Sequence, residues 1–406
     1  MPEIGKLFGR LKLNKNITYL GLVSLFTDVS SEMLGAVIPL FLNNVLKVDK
    51  SIIGLIEGVA ESTASLLKVF SGWISDKTKH RKPWILGGYG LSTLVKPILL
   101  VAVNWPTILL YRFLDRIGKG IRTSPRDAVI ADFAPAEARG KAFGFHRMMD
   151  TIGAVIGPAL AFLLMPASAS GSFQAASYRP IFLAALVPGI LAVLVIVFLV
   201  REKEKESKDA KPLPTFRLSN FSPDYIKFII ISVLLNLAVI TDAFLILRAQ
   251  DLGVKAKLIP LILLFFNLIQ VSFSLPAGIV SDYLGRRKVI IVGYLIFGAT
   301  SLGFAYANSP SYVWLLFALN GLFAALTGGV QRAFVVDLVH CDVRGTALGT
   351  FNAISGITAL PSGLMTGFLW KVYGAKIAFL FGAVLALLGV LAFLALFHKK
   401  PEKCTN

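Results

Sequence analysis

The feature that most constrains this chain is a series of twelve apolar runs, each about 20 residues long. A helix of that length, at about 1.5 Å per residue, crosses a hydrocarbon core about 30 Å thick. The composition agrees, because 55% of the 406 residues are hydrophobic and only 16% are charged. We therefore predict an all-α membrane protein with twelve transmembrane helices in a lipid bilayer. The runs lie at 17–40, 51–75, 83–103, 106–131, 141–165, 179–200, 227–247, 257–280, 288–307, 311–336, 345–369 and 374–397.

The distribution of basic residues predicts the orientation. Most Lys and Arg residues outside the runs fall in the tails and in the loops on one side. The positive-inside rule assigns that side to the cytoplasm, so both termini are expected there. The net charge of +18 then follows from topology, and we expect no nucleic-acid partner. The short tails favour the cell membrane of a prokaryote, where it is the inner membrane if two are present.

The longest polar segment separates the sixth run from the seventh. It reads REKEKESKDAKPLPTFRLSNFSPD, with both charge signs and three prolines, as is typical of a linker. We predict an N-terminal six-helix bundle at 1–200, a cytoplasmic linker at 201–226, and a C-terminal six-helix bundle with a short cytoplasmic tail at 227–406.

The two halves resemble each other in sequence. GWISDKTKHRK at 72–82 recurs as GIVSDYLGRRK at 278–288, and Thr27-Asp28 recurs as Thr241-Asp242. A repeat of six spans is typical of a secondary transporter whose binding site lies between the halves near the bilayer midplane. A third repeat pairs Asp132 and Arg139-Gly140 with Asp337 and Arg344-Gly345.

These motifs resemble those of the major facilitator superfamily along the whole chain, and most closely its drug/proton antiporter branch. The family's signature of Gly, three residues, Asp and a basic cluster is matched at 72–82 and again at 278–288. The glycines and proline of the fifth run, Gly153, Gly157 and Pro158, have the spacing of the family's antiporter signature. The resemblance implies twelve helices in two pseudo-symmetric six-helix bundles.

The signature residues also predict an inner gate. Asp76 and Asp282 follow the cytoplasmic ends of their helices, where they can meet basic side chains or the positive N-termini of helices in the other half. In the family, the aspartate after the fourth span, here Asp132, is thought to act with the basic loop residue, here Arg81. The alternative is that these charges only fix topology. The predicted gating residues are Gly72, Asp76, Arg81, Asp132, Arg139, Gly153, Gly157, Pro158, Gly278, Asp282, Arg286, Asp337 and Arg344.

The fourth run carries seven charged side chains between positions 112 and 127. At about 100° per residue they fall on an arc of roughly 140°. One charge at the bilayer centre costs about 2.5 kcal/mol or more, so such a stripe must face protein or a wet cavity. We interpret it as the wall of a transport pathway.

Acidic pairs on the first two runs are the candidates for proton coupling. Asp28 with Glu32, and Glu57 with Glu61, are each spaced one helical turn apart. A proton that neutralises a carboxylate beside an arginine releases that arginine to pair elsewhere, which biases one conformation. Arg112 occupies the position that the family associates with proton coupling. The alternative is a set of static ion pairs that stiffens this half.

The basic surplus on the fourth run favours an anionic or zwitterionic solute, although the four carboxylates leave a cationic one open. Further polar residues at midplane depth come from the second half. The predicted substrate-binding residues are Lys96, Asp115, Arg116, Lys119, Arg122, Asn236, Asp242, Asn267 and Gln270.

Taken together, these patterns predict a secondary transporter of a small organic solute that works by alternating access. Proton-coupled efflux is the leading hypothesis, and proton-coupled uptake of an organic anion is the alternative. A non-transporting receptor on the same scaffold is a third. An enzyme is disfavoured, because the chain carries no nucleotide-binding loop, nucleophile elbow or zinc motif. We expect no metal or cofactor, a proton gradient as energy source, and a monomer.

Overall fold

A computed structural model describes residues 14–77, 80–134, 139–166, 175–202, 221–339 and 343–397. Within these helices, nothing is described for the side chains of residues 73, 76, 77, 139, 140 and 345. Most of the predicted linker, 203–220, lies outside the described residues. The described chain forms thirteen α-helices: α1 Lys15–Asn44, α2 Lys50–Lys77, α3 Lys82–Leu94, α4 Trp105–Phe133, α5 Arg139–Leu164, α6 Ala175–Phe198, α7 Pro223–Ala238, α8 Asp242–Asp251, α9 Ile259–Leu284, α10 Arg286–Tyr306, α11 Ser311–Asp337, α12 Arg344–Tyr373 and α13 Ala375–Leu396.

The prediction of twelve spans is confirmed. A 3₁₀ segment at Lys96–Val101 completes the third span, while α7 and α8 together form the seventh. Ten spans are long and apolar enough to cross a membrane by length and composition alone. The other two, α2 and α4, have 28 and 29 residues. They carry the charged side chains of the predicted pathway, which lowers their hydropathy without shortening them.

Side-chain caps explain where several helices begin. The Asn104 side chain accepts a hydrogen bond from the Thr107 amide at 3.1 Å at the start of α4. Ser222 accepts from the Tyr225 amide at 3.2 Å at the start of α7. Proline follows each cap, at a position where its missing amide costs nothing. These polar groups satisfy amides that the helix itself leaves unpaired.

The seventh span is interrupted in its middle. Residues 239–241 leave the helical conformation between α7 and α8. The Ser362 hydroxyl of α12 donates to the freed carbonyl of Val239 at 2.8 Å, which compensates the interruption. Asp242 therefore begins a new helix near the middle of the span.

The helix ends lie on two faces of the bundle. The terminal face carries the ends near Asn16, His80 and Glu202, and the distal face carries the ends near Asn43 and Gln250. These two names are used below.

The two halves are joined at the distal face. Asn43 donates to Gln250 at 3.2 Å, and the Gln250 amide donates to Asn44 at 2.6 Å. Lys371 forms an ion pair with Asp49 at 2.6 Å. These contacts cross from α1 and α2 to α8 and α12, so the distal face is closed.

Close packing of α2 on α12 extends that closure to mid-depth. A Cβ added at Gly54 would lie 2.1 Å from the Gly363 carbonyl oxygen. The last close approach along this crossing is between Ser65 and Gly356. Beyond it, Leu66, Val69 and Phe70 of α2 are 38–56% exposed. The two helices therefore separate toward the terminal face.

Among the described side chains of the signature loops, the Arg–Asp ion pairs near the terminal face each join residues of one half. Arg81 pairs with Asp132 at 2.5 Å in the first half, and Arg286 pairs with Asp337 at 2.5 Å in the second. At mid-depth the Glu61 side chain is exposed although α2 packs on α12. Within the described residues, the space between the halves is therefore open toward the terminal face.

Candidate functional site

The acidic pair of α1 lies where α5 crosses it closely. A Cβ added at Gly153 would lie 2.8 Å from the Asp28 Cβ, and one added at Gly157 would lie 2.8 Å from the Glu32 Cβ. Larger residues at these two positions would push α1 and α5 apart. The glycines of the predicted antiporter signature thus allow the close packing that fixes the position of the acidic pair.

A buried ion pair joins α2 to α4. Arg112, which is only 8% exposed, donates from Nη2 to Oε2 of Glu57. Glu61 lies one turn along α2 and interacts electrostatically with Arg116 and Lys119. Removing one partner of a buried pair leaves an uncompensated charge, at a cost of about 3–5 kcal/mol.

Among the described residues, four carboxylates at this depth have no ion pair within 4.0 Å, namely Glu61 and the three that follow. Within the part of the chain that the structure describes, no ion pair within 4.0 Å involves Asp28, Glu32 or Asp242. Asp242, at the start of α8, interacts electrostatically with Glu32, Glu57 and Glu61 of the first half. Both halves therefore contribute carboxylates to one site, and Asp28 and Asp242 are equivalent residues of the sequence repeat.

The charged stripe of α4 divides between two faces of the helix. The Arg122 guanidinium donates to Ser92 of α3 at 2.7 Å and lies 4.3 Å from the Tyr89 ring centre. Gly88 and Gly118 bring α3 against α4, since a Cβ added at Gly118 would lie 2.5 Å from the Gly88 carbonyl oxygen. Only part of the stripe therefore faces the space between the halves.

Lys96 and Asp115 also lie inside the first half. Lys96 is 2% exposed, and its Nζ would lie 2.9 Å from a Cβ added at Gly189 of α6. Asp115 is 8% exposed, and its carbonyl accepts from Ser92 at 3.2 Å. Together with Arg122, these two predicted substrate residues form a charged cluster behind the site.

The sign of the cavity charge follows from this division. Three basic side chains and five carboxylates surround the space at mid-depth. The basic surplus of α4 is therefore not a surplus in the cavity, because Arg122 faces Ser92 and Tyr89 while Arg126 pairs with Asp127 at 2.8 Å. The residues at mid-depth are Arg112, Arg116, Lys119, Asp28, Glu32, Glu57, Glu61 and Asp242.

The predicted amide residues of the second half have separate positions. Asn236 donates to Ser355 at 3.1 Å within that half. Asn267 of α9 donates to the Ala154 carbonyl of α5 at 2.8 Å, so it joins the two halves. The Gln270 side chain on α9 is partly exposed.

Comparison with known proteins decides the family. The model of the Major Facilitator Superfamily matches residues 20–247 and 225–404. This chain belongs to the major facilitator superfamily. An MFS-type transporter of Methanocaldococcus jannaschii, described as uncharacterized, is 38% identical over 391 residues, which is 94% of this chain and 95% of that protein. The protein is therefore a transporter of this family in a multi-pass membrane fold.

Two further similarities are less close. The class H tetracycline resistance protein of Pasteurella multocida is 24% identical over 96% of this chain and 97% of its own length. The crystal structure of the nucleoside transporter NupG superposes with a TM-score of 0.79 at 15% identity, over 95% of this chain and 100% of that one. The structural likeness supports the fold alone.

The structure describes some, but not all, of the side chains in the superfamily's loop signature. The two Arg–Asp pairs recur at the same separation of 51 residues in the two halves, and Asp282 also lies 3.3 Å from Arg286. A Cβ added at Gly72 would lie 3.3 Å from the Ser124 Cβ, whereas one at Gly278 would meet nothing within 4 Å. The side chains of Asp76 and Arg139 lie outside the described residues. Pro158 is buried in α5, and the buried Nε of Arg344 has no hydrogen-bond partner among the described residues.

Sequence reasoning gave no role to a polar contact between α1 and α5. The Ser24 hydroxyl of α1 donates to the Asp150 carboxylate of α5. Asp150 precedes Gly153 and Gly157 on the face of α5 that packs on α1, and that spacing was a signal available in the sequence. The distal residues Asn43 and Gln250 carried no such signal, because polar residues at the ends of spans are ordinary.

Proposed function

We propose that this transporter exports a small organic solute in exchange for protons. The terminal face lies in the cytoplasm of a prokaryotic cell membrane, with both termini on that side. The observation that carries the proposal is the position of Asp28, Glu32 and Asp242. Among the described residues they form no ion pair, and they lie beside the Arg112–Glu57 pair in a space that the described residues leave open toward the terminal face.

Competition for the carboxylates couples the two fluxes. A positive group on the solute and a proton can each neutralise Asp28 or Glu32, but both cannot do so at once. Each ligand stabilises a conformation only through its different affinity for the two states. Loading of solute from the cytoplasm therefore releases protons there, and protons from the outside displace the solute.

The charge of the cavity supports a cationic or zwitterionic solute. Five carboxylates face three basic side chains at mid-depth, and two of those carboxylates, Asp28 and Asp242, come from opposite halves. The positive group binds between them, and the negative group of a zwitterion binds near Lys119. A purely anionic solute has less support than the charge of α4 alone suggested.

Alternating access requires the distal contacts to break. The Gly54–Gly363 crossing and the Asn43–Gln250 hydrogen bond join the halves in this conformation. Their separation opens the cavity to the outside while the terminal ends of the helices approach each other. The cavity is built from both halves of one chain, so a monomer suffices, and the proton gradient supplies the energy without a cofactor.

The direction of transport is supported by a relative. The tetracycline resistance protein that resembles this chain over nearly its whole length is a resistance protein by name. Export is therefore favoured over uptake.

A solute panel in proteoliposomes tests the function. Cationic, zwitterionic, neutral and anionic solutes are offered to the purified protein under an imposed pH gradient. The variants are Arg112→Ala and Asp28→Asn, with Asp224→Asn as control, since Asp224 lies at the start of α7 and pairs with the adjacent turn. We expect gradient-driven movement of cationic or zwitterionic solutes that both site variants lose and the control keeps. Transport that is unchanged in both site variants would overturn the proposal.

A further inference from the structure

A file of polar side chains leads from the acidic pair toward the terminal face. The Ser24 hydroxyl donates to Oδ1 of Asp150, and Nδ1 of His146 lies 3.6 Å from Oδ2 of the same carboxylate. The Nε2 of His146 is buried and has no hydrogen-bond partner within the described residues. An unsatisfied buried polar atom costs about 1–3 kcal/mol, so its presence calls for an explanation.

Helix geometry aligns this file with the acidic pair of α1. His146 and Asp150 lie one turn apart on α5, and Ser24, Asp28 and Glu32 lie at successive turns of α1. The two helices run in the same direction, since Gly153 lies against Asp28 and Gly157 against Glu32, and a Cβ added at Gly153 would lie 2.8 Å from the Asp28 Cβ. Asp150 and Asp28 consequently interact electrostatically. Together with the acidic pair, the file spans about three helical turns without leaving the α1–α5 crossing.

The terminal end of the file lies next to an exposed residue, although the His146 side chain itself is only 5% exposed. Arg147, adjacent to His146, has a side chain that is 76% exposed, whereas Asp150 is 17% exposed. Water therefore reaches the depth of His146 on the open side of the protein, while Asp150 remains largely enclosed.

Several charged groups surround the file on the helices packed against it. Positive groups of α4 and α5 interact with Asp150, so the carboxylate is not isolated. The surrounding groups are Asp28 on α1, Arg126 and Asp127 on α4, Arg147 on α5, and Arg332 on α11.

We propose that Ser24, Asp150 and His146 form the route by which protons leave Asp28 for the cytoplasm. The inference rests on the proposed function and adds three residues to it. Asp28 gives a proton to the Ser24 oxygen while the hydroxyl proton of Ser24 passes to Asp150. Asp150 then protonates Nδ1 of His146, after a small rotation of the ring, and Nε2, which is buried in this conformation, releases its proton once a further ring movement exposes it to water. One proton leaves Asp28, one reaches the cytoplasm, and reorientation of Ser24 and His146 restores the starting state.

A proton route that does not pass through the solute cavity allows solute binding and proton release to occur together. A solute bound in the cavity covers Asp28 from the water on the cavity side. The α1–α5 crossing lies behind Asp28, so the proton leaves while the solute occupies its place. Solute binding and proton release then occur in one step without a shared path.

Two assays on the same vesicles separate this role from a structural one. Asp150→Asn keeps an oxygen that accepts from Ser24 but cannot carry the proton, and His146→Gln keeps polarity without a titrating ring. The first assay is exchange of labelled for unlabelled solute without a pH gradient, and the second is gradient-driven transport. We expect exchange within about twofold of wild type and gradient-driven transport reduced about tenfold or more, within the range of lost acid–base steps. Asp224→Asn serves as the control.

The remaining outcomes bear on the proposal in different ways. Gradient-driven transport within about twofold of wild type in both variants overturns the route, because a lost proton-transfer step has a larger effect. Equal loss of exchange and gradient-driven transport also overturns it, since that result is the signature of damaged packing. Wild type that exchanges solute but ignores the gradient refutes the proposed function itself.

Discussion

The crossing of α2 on α12 offers a sharp test of how the distal face is held closed. A methyl group at position 54 would lie 2.1 Å from the Gly363 carbonyl oxygen, a distance that backbone atoms do not tolerate. The helices must therefore separate in Gly54→Ala. Overpacking of a tight interface costs about 1–3 kcal/mol. Because the clash exists only in the closed arrangement, that energy shifts the population toward the distal-open state by about 5- to 150-fold.

Distance measurement between spin labels reads this population directly. Labels at Lys47→Cys and Lys255→Cys, both exposed on the distal face of opposite halves, report its opening after Cys341 and Cys404 are replaced by serine.

Gly35→Ala is the matched control for this experiment. A Cβ at position 35 meets nothing within 4 Å, and the substitution gives α1 the same gain in helix propensity. We expect a longer distance population in Gly54→Ala alone. Identical distributions in the two variants would refute the assignment of this crossing as the distal closure.

Three further predictions concern the Arg112–Glu57 ion pair and two polar contacts between the halves. Arg112→Gln should lower the free energy of unfolding by about 3–5 kcal/mol, because Glu57 is left buried and unpaired. Adding Glu57→Gln should restore most of the lost stability in the same melting assay. No recovery would contradict the pairing. Lys371→Ala should change stability by less than about 1 kcal/mol, since its pair with Asp49 is solvent-exposed; a larger drop in melting temperature would mean that the pair is a main closure. Ser62→Ala removes a buried hydrogen bond of 2.6 Å to the α12 backbone, so the distal-open state should become more stable relative to the closed state by about 0.5–1.5 kcal/mol. We expect a small shift in the label distances. A shift as large as that of Gly54→Ala would contradict the expectation that this hydrogen bond contributes less than the glycine crossing.

The helices were predictable because their signal is local. Apolar length alone placed all twelve spans, with ends within about four residues of those observed. The sequence repeat also aligned Asp28 of the first half with Asp242 of the second half.

The interruption of the seventh span was not predictable from its own residues. Val239, Ile240 and Thr241 form an apolar, β-branched stretch with no Gly or Pro, which reads as a continuation of the helix. The hydroxyl that compensates the break belongs to Ser362, on a helix more than a hundred residues away. Such a contact exists only after the second half has folded.

The division of the α4 stripe was likewise beyond the sequence. The charged stripe covers an arc of roughly 140° of the α4 surface, so its two edges point in different directions and part of it must face protein. Which part does so depends on Gly88 and Gly118, whose approach turns Asp115 and Arg122 toward α3. A count of charges along one helix therefore overstated the positive charge of the cavity.

The most direct test of the central claim is a measurement of proton movement driven by solute alone. Proteoliposomes are loaded with a transported solute and a pH-sensitive dye, and they are diluted into solute-free buffer of the same pH. Exchange of solute for protons predicts that the lumen acidifies as solute leaves, and that Asp28→Asn abolishes the acidification. Efflux of solute with an unchanged internal pH would contradict the account.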